Sequence, residues 1–185
     1  MSTRHNVVLE PEDLSADRAE PLHEKNRQFL QYWLSIRHGG HMPLKDDFDP
    51  VSIPDLLNCI WLLDYRGPEE ILVRLCGTSI DRRFGIEITG RNLLSLIPVD
   101  LRSIYGAMFG DICRLPCGYL TSGDILLHGT RRTTEAIYLP LAGADGRVDV
   151  VAGSTHLFDS SHEVGNLDGK IAGIVDHRHA RLVLS

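Results

Sequence analysis

The segment 71–91, ILVRLCGTSIDRRFGIEITGR, constrains the fold of this chain more than any other segment. Apolar residues alternate over positions 71–76, which is the two-residue period of a β-strand. Gly77 ends this strand, and Gly85 and Gly90 bound two helical turns that follow it. Helical pieces this short are marginal in water on their own. The segment therefore predicts a sheet that contains the strand and has short helices packed on it.

The spacing of hydrophobic residues predicts further helices and strands along the chain. Together with the segment 71–91, they predict an α+β fold in which helices cover one face of an antiparallel sheet. The sequence divides into an extended arm at 1–21, one domain at 22–158 and a tail at 159–185. The tail admits three interpretations: a hairpin on a sheet edge, a short helix plus strand, or a partner-binding segment. The predicted helices are 22–37, 50–60, 79–84 and 99–115, and the predicted strands are 60–65, 71–76, 119–128, 132–141 and 147–158.

Composition excludes several classes of protein. The chain has 185 residues, enough for one full core, and a net charge of −6, which argues against a nucleic-acid partner. No apolar run is long enough to span a membrane, and the N-terminus lacks a signal-peptide core, so we expect a cytoplasmic protein. In a cytoplasmic protein, we expect the four cysteines to be reduced thiols and not a framework of disulfides. Cys113 and Cys117 share a helical spacing, but two small apolar residues explain them better than a metal or redox pair.

Short motifs spread from Tyr32 to Phe158 carry a resemblance to a known family. They are Tyr32-Trp33-Leu34, Met42-Pro43, Asp47-Phe48-Asp49-Pro50, Ile53-Pro54, Arg74-Leu75-Cys76-Gly77-Thr78, Phe84-Gly85, Thr89-Gly90-Arg91 and Leu139-Pro140-Leu141. With two strands, a helical middle and three strands, the chain resembles the PAS domain. The similarity is closer to short bacterial proteins in which a single PAS domain, preceded by an amphipathic helix, makes up nearly the whole chain.

The resemblance implies a five-stranded antiparallel sheet in the order 2-1-5-4-3 and a sensory or signalling function. PAS domains commonly pair through an N-terminal helix, so the resemblance also implies a homodimer. The apolar stripe of the helix at 22–37 would form that contact, although the sheet of the same chain is the other target for it. The predicted interface residues are Phe29, Tyr32, Trp33 and Ile36.

Candidate ligand-binding residues come from strand parity and from the long helix. His156 and Ser154 share a strand face with Val150, which we expect to line a cavity between the sheet and the helix at 99–115. A satisfied core histidine is the alternative. Tyr105, Met108 and Phe109 would form the opposite wall. Arg74 should face away from the helical layer, where an ion pair is the default and recognition of an acidic ligand is the alternative.

Cofactors receive little support from the sequence, and we predict no metal site. His38 and His41, and also His177 and His179, have a spacing that suits chelation but lack further ligands. Haem held by a helical histidine, as in some PAS domains, is disfavoured because the helix at 99–115 contains none. Covalent flavin is disfavoured because Cys76 does not match the reactive-cysteine motif of photosensory PAS domains. The identity of any ligand stays unknown.

The favoured function is a stand-alone sensory or signalling module that binds a small molecule, a protein partner or both, without an output domain of its own. Sequence motifs of hydrolases, nucleotide-binding enzymes and metalloproteases are absent, so an enzyme is not the favoured interpretation. The alternative is a small α+β cone-type enzyme that uses His156 as its pocket acid or base. A DNA-binding regulator would rest only on Arg82-Arg83 and Arg131-Arg132, which are usually solvated pairs.

Overall fold

The computed structural model describes residues 13–15, 21, 23–39, 42–115, 117–127, 130–158 and 171–184. The strands are β1 (Asp13–Ser15), β2 (Ile60–Gly67), β3 (Glu70–Cys76), β4 (Cys117–Leu127), β5 (Thr130–Ala142), β6 (Val148–Leu157) and β7 (Ile171–Val183). The α-helices are α1 (Glu24–Ser35), α2 (Thr78–Phe84) and α3 (Val99–Arg114). Short 3-10 helices occupy Pro50–Ser52, Pro54–Cys59 and Leu93–Ser95.

One sheet contains all seven strands in the order β1-β7-β4-β5-β6-β2-β3. Five consecutive strands of this sheet, β3-β2-β6-β5-β4, confirm the predicted order 2-1-5-4-3. Tight turns explain the adjacent antiparallel pairs, such as the turn at Gly146, whose φ of 77° suits glycine. The predicted helix at 50–60 is instead two 3-10 helices, and each begins at a proline, Pro50 or Pro54.

The C-terminal tail adds a strand to this sheet. Strand β7 pairs antiparallel with β4 along most of its length, from Cys117↔Val183 to Leu127↔Ile171. Strand β1 then pairs parallel with β7. The described part of the tail is therefore a single long strand next to the sheet edge, which matches neither the hairpin nor the short helix plus strand that the sequence left open. The apolar run Val7–Leu9 in the arm also suggests a short strand from its sequence, but it lies outside the described residues.

The inner face of the sheet, defined as the face covered by α2 and α3, holds one half of the core. Gly106 brings α3 close to the β2–β3 hairpin, since a Cβ at this position would collide with the carbonyl oxygen of Pro68. The buried residues of this half are Trp61, Leu63, Ile71, Val73, Ile80, Ile88, Leu93, Leu94, Ile97, Leu101, Tyr105, Met108, Phe109, Ile112, Cys117, Tyr119, Ala136, Tyr138 and Val151.

The outer face of the sheet is covered by α1, which packs on its own chain. Phe29 and Trp33 have no exposed surface, and Trp33 Nε1 donates a hydrogen bond to the carbonyl oxygen of Pro140 at 2.9 Å. These two residues were predicted at a dimer interface, but here they are core residues of the monomer. Tyr32 and Ile36 are partly buried against the same core. The dimer itself stays a prediction, and any contact would use other surface of α1.

Candidate functional site

The predicted ligand-binding residues lie on opposite faces of the sheet. Tyr105, Met108 and Phe109 pack on the inner face, as expected. Ser154 and His156 point to the outer face, towards α1, so the prediction that they line a cavity under the long helix is wrong. The reason is that both faces of β6 are covered and its residues from Val150 onward are continuously buried. Periodicity separates the two faces but does not reveal which helix covers each one.

The centre of the inner face is an aromatic group built around a glycine. The Trp61 and Tyr138 rings stack with centroids 5.6 Å apart, and Phe109 contacts Tyr138 edge-on at 5.2 Å. Gly153 lies between their strands and pairs with both Trp61 and Tyr138. A Cβ at Gly153 would collide with the indole Nε1. Because Gly153 has no side chain, the Trp61 indole can pack directly against the sheet.

Several buried polar groups accompany these rings. The hydroxyl of Tyr105 is hydrogen-bonded to Thr121, and burial raises the pKa of both Tyr105 and Tyr138, so both phenols are neutral at physiological pH. Trp61 Nε1 is buried and has no acceptor among the described residues. A small number of polar groups in an apolar setting is typical of sites for small organic molecules. We call the following six residues the inner-face site: Trp61, Tyr105, Met108, Phe109, Thr121 and Tyr138.

Arg83 is bonded to Thr155, which lies two residues along β6 from Gly153, and its burial was missed in the sequence. It was treated as one of two solvated arginines, but its relative exposure is 4%, whereas its neighbour Arg82 is exposed. The overlooked signal is its spacing of three residues from Ile80, which places both on the buried side of α2. Its guanidinium donates to the carbonyl oxygen of Thr155 at 3.2 Å.

The outer face carries a second group of polar residues, which we call the outer-face polar cluster: His23, Asn26, Glu135, Ser154 and His156. Glu135 Oε1 accepts from the His23 backbone N–H at 3.0 Å and from Asn26 Nδ2 at 2.9 Å. The His23 and His156 rings stack with centroids 4.7 Å apart. The buried carboxylate thus lies at the start of α1, where the helix dipole favours negative charge.

The histidines of this cluster are uncharged at physiological pH. Burial, followed by repulsion from His23 in its protonated form and from Arg83 and Lys25, lowers the pKa of His156 to about 3. Burial also lowers the pKa of His23, although the Glu135 carboxylate opposes that shift. Neutral rings can stack without mutual repulsion, so the cluster is suited to fasten α1 to the sheet.

Ser154 and His156 bear on the enzymatic alternative, since Ser154 Oγ and His156 Nε2 are hydrogen-bonded at 2.7 Å. Such a pair resembles a nucleophile and its base. Ser154, however, has no exposed surface, and the Glu135 carboxylate is bonded to the start of α1. An external substrate has no access to this hydroxyl, so the geometry fits a structural role.

Arg74 lies apart from both groups of polar residues. Its Nε is 2.8 Å from Asp64 Oδ1 on the neighbouring strand, and its side chain is half-exposed. This is the ion pair expected by default. Among the described residues, no three histidine, cysteine or acidic side chains are placed to hold a metal ion together. His41, from one of the two histidine pairs, lies outside the described residues.

The comparison with protein families decides the identity of the fold. A PAS domain model matches residues 22–156, which is more than half of the chain. The chain belongs to the PAS domain family. PAS domains are generally sensory rather than catalytic modules, and the fold described above agrees with this membership. The inner-face site lies between the central sheet of the PAS domain and its long helix, whereas the outer-face polar cluster joins the PAS sheet to α1.

Solved structures similar to this PAS domain are remote in sequence. The PAS domain of Bordetella pertussis BvgS is 18% identical, with a TM-score of 0.48 over 60% of this chain and 84% of that chain. A Rhodobacter sphaeroides LOV protein is also 18% identical, with a TM-score of 0.44 over 62% and 71% of the two chains. The PAS domain of an HTR-like protein from Haloarcula marismortui is 11% identical, with a TM-score of 0.40 over 58% and 90%. No curated protein matches the chain.

The helices of the described part of this PAS domain are too short or too polar to cross a membrane.

Proposed function

We propose that this PAS domain is a sensory module whose signal is a small molecule bound at the inner-face site. The observation that carries the proposal is the buried Trp61 Nε1, a donor without an acceptor among the described residues. A buried N–H that lacks a partner costs about 1–3 kcal/mol, so it is an unusual group to retain in a core. A ligand with an acceptor atom would satisfy it.

The surroundings of this donor support the same proposal. Tyr105 and Thr121 place further hydroxyl groups on the inner face, while Phe109 and Met108 supply an apolar wall. The long helix α3 carries three of these residues, so a ligand here would contact both the sheet and the helix. Binding would thereby change how α3 sits on the sheet, which is a conformational signal that a partner protein can read.

Native mass spectrometry of the purified chain tests this proposal, because it reports bound small molecules and oligomeric state together. We expect a bound molecule that is weakened or lost in Trp61→Phe, which removes the N–H and keeps an aromatic ring. Trp33→Phe is the matched control on the outer face, and it should retain the molecule. Equal retention in both variants would place the ligand elsewhere. No retention in wild type, together with no binding in the titrations described below, would contradict the proposal.

A further inference from the structure

Arg83 is a buried cation with no counterion in the part of the chain that the structure describes. Its relative exposure is 4%, and a guanidinium stays charged at all physiological pH values. Its described contacts are a carbonyl oxygen, that of Thr155, and a thiol, Cys59 Sγ at 3.7 Å. Burying an unpaired charge is strongly unfavourable. The position therefore calls for an anion.

One edge of the guanidinium has no strong hydrogen bond to the described residues. Nη1 is the atom fixed by Thr155, and Nε is buried without a partner among the described residues. Within the described ranges, the contact given for Nη2 is the weak one with the Cys59 sulfur. Nε and Nη2 lie along the same side of the planar group, and this two-donor edge matches the two oxygens of a carboxylate. Arg83 is thus anchored by one nitrogen and presents a fork with the other two.

Trp61 supplies a second donor that lacks an acceptor among the described residues, at the same end of the inner face. Gly153 pairs with Trp61, and Thr155, the anchor of Arg83, is two residues further along β6. Two residues of strand span about 7 Å, which a small organic molecule can bridge. An indole N–H and a guanidinium are donors that cannot accept. Both open groups therefore require acceptor atoms, and the nearby Tyr138 ring favours an apolar body between them.

We propose that the inner-face site binds a small organic carboxylate, whose oxygens contact the Nε and Nη2 edge of Arg83 and whose apolar body lies towards Trp61. The inference rests on the proposed function, and it adds the chemical class of the ligand. Inorganic phosphate fits less well, since it has more acceptor oxygens than these donors satisfy and no apolar part to contact the aromatic rings.

Isothermal titration with benzoate and with benzamide tests the charge requirement on wild-type protein. The two probes have nearly the same shape and differ in charge. We expect benzoate to bind about 10-fold or more tightly than benzamide, because a hydrogen bond between two charged groups is stronger than one to a neutral oxygen. Arg83→Met should abolish this difference, and Arg83→Lys should keep part of it. Arg82→Met, at the exposed neighbour on the same helix, is the matched control and should bind like wild type.

Each outcome bears on the inference. Equal affinity for the two probes in wild type would overturn the carboxylate assignment while leaving the proposed small-molecule site standing. Binding of neither probe would overturn the assignment, as expected if a carboxylate of the chain itself occupied the fork. Undiminished binding of benzoate by a folded Arg83→Met would also overturn it. Circular dichroism checks folding of the variants, and if Arg83→Met does not fold, the comparison of probes in wild type decides alone.

Discussion

The imidazole rings of His23 and His156 stack with their centroids 4.7 Å apart and their planes inclined by 12°. His23 precedes the first turn of α1, and His156 belongs to β6 in the sheet. The stack therefore joins the N-terminal helix to the central sheet on the side opposite the inner-face site. This arrangement makes the attachment of α1 sensitive to protonation.

Stability should fall as the pH is lowered from about 8 to 5. The pKa of His156 in the folded state is about 3, below its ordinary value of 6.5, so the unfolded chain binds more protons in this range. Stability is thus greatest above pH 6.5 and is lost below it, by about 2 kcal/mol at pH 5 for His156 alone. The lowered pKa values of His23 and His179 act in the same direction. Urea unfolding at several pH values measures the slope.

His156→Gln should reduce this pH dependence, since it removes a histidine whose pKa is lowered to about 3 in the folded state. His38→Gln is the matched control, because the His38 side chain is 78% exposed. An unchanged slope in His156→Gln would refute the role given to the stacked pair.

Asn26→Ala should destabilise the protein by about 1–3 kcal/mol. The change removes the Nδ2 donor to the buried Glu135 carboxylate and leaves that acceptor short of a partner. Gln28→Ala, on the exposed side of α1, should stay within about 0.5 kcal/mol of wild type. Denaturant unfolding compares the two variants, and similar small losses for both would show that Asn26 does not hold α1 to the sheet.

Gly153→Ala should destabilise the protein by about 1–3 kcal/mol or more, because the new methyl group would collide with the Trp61 indole. Combining it with Trp61→Val should recover part of the loss, since the smaller side chain leaves room. A double-mutant cycle of unfolding free energies measures this coupling. Strictly additive effects would mean that the two residues do not compete for the same space.

Substitutions at Trp33 and Leu34 distinguish the two roles considered for α1, which are packing on the sheet of its own chain and forming a dimer. Trp33→Ala should cost about 3–5 kcal/mol, because it empties a fully buried site on the outer face. Leu34→Glu should leave the stability of the monomer nearly unchanged, as Leu34 is 38% exposed, but it should weaken a dimer formed through α1. Light scattering after size-exclusion chromatography gives the oligomeric state. A wild-type monomer, or a dimer unaffected by Leu34→Glu, would rule out this helix as the interface.

The sequence predicted the elements that repeat a simple period and failed where tertiary packing decides. Alternation along β3 and the three-four spacing of α3 were sufficient to indicate the PAS-like order. The side of the sheet reached by His156 was not predictable, since helices cover both faces and burial along β6 is continuous. Arg83 was misjudged because the burial of a charged residue depends on contacts distant in sequence. The tail was left open because the charged run at 176–181 interrupts the apolar pattern of β7.

The indole N–H resonances of the two tryptophans provide the most direct test of the inner-face site. Trp61 lies on the inner face, and its buried Nε1 has no acceptor among the residues that the structure describes, whereas Trp33 lies on the outer face with its Nε1 bonded to Pro140. In a 1H–15N spectrum titrated with benzoate, assigned with Trp61→Phe and Trp33→Phe, we predict that the Trp61 signal moves with saturation while the Trp33 signal stays. A Trp61 signal that does not respond to benzoate or benzamide, or a response confined to Trp33, would contradict the account.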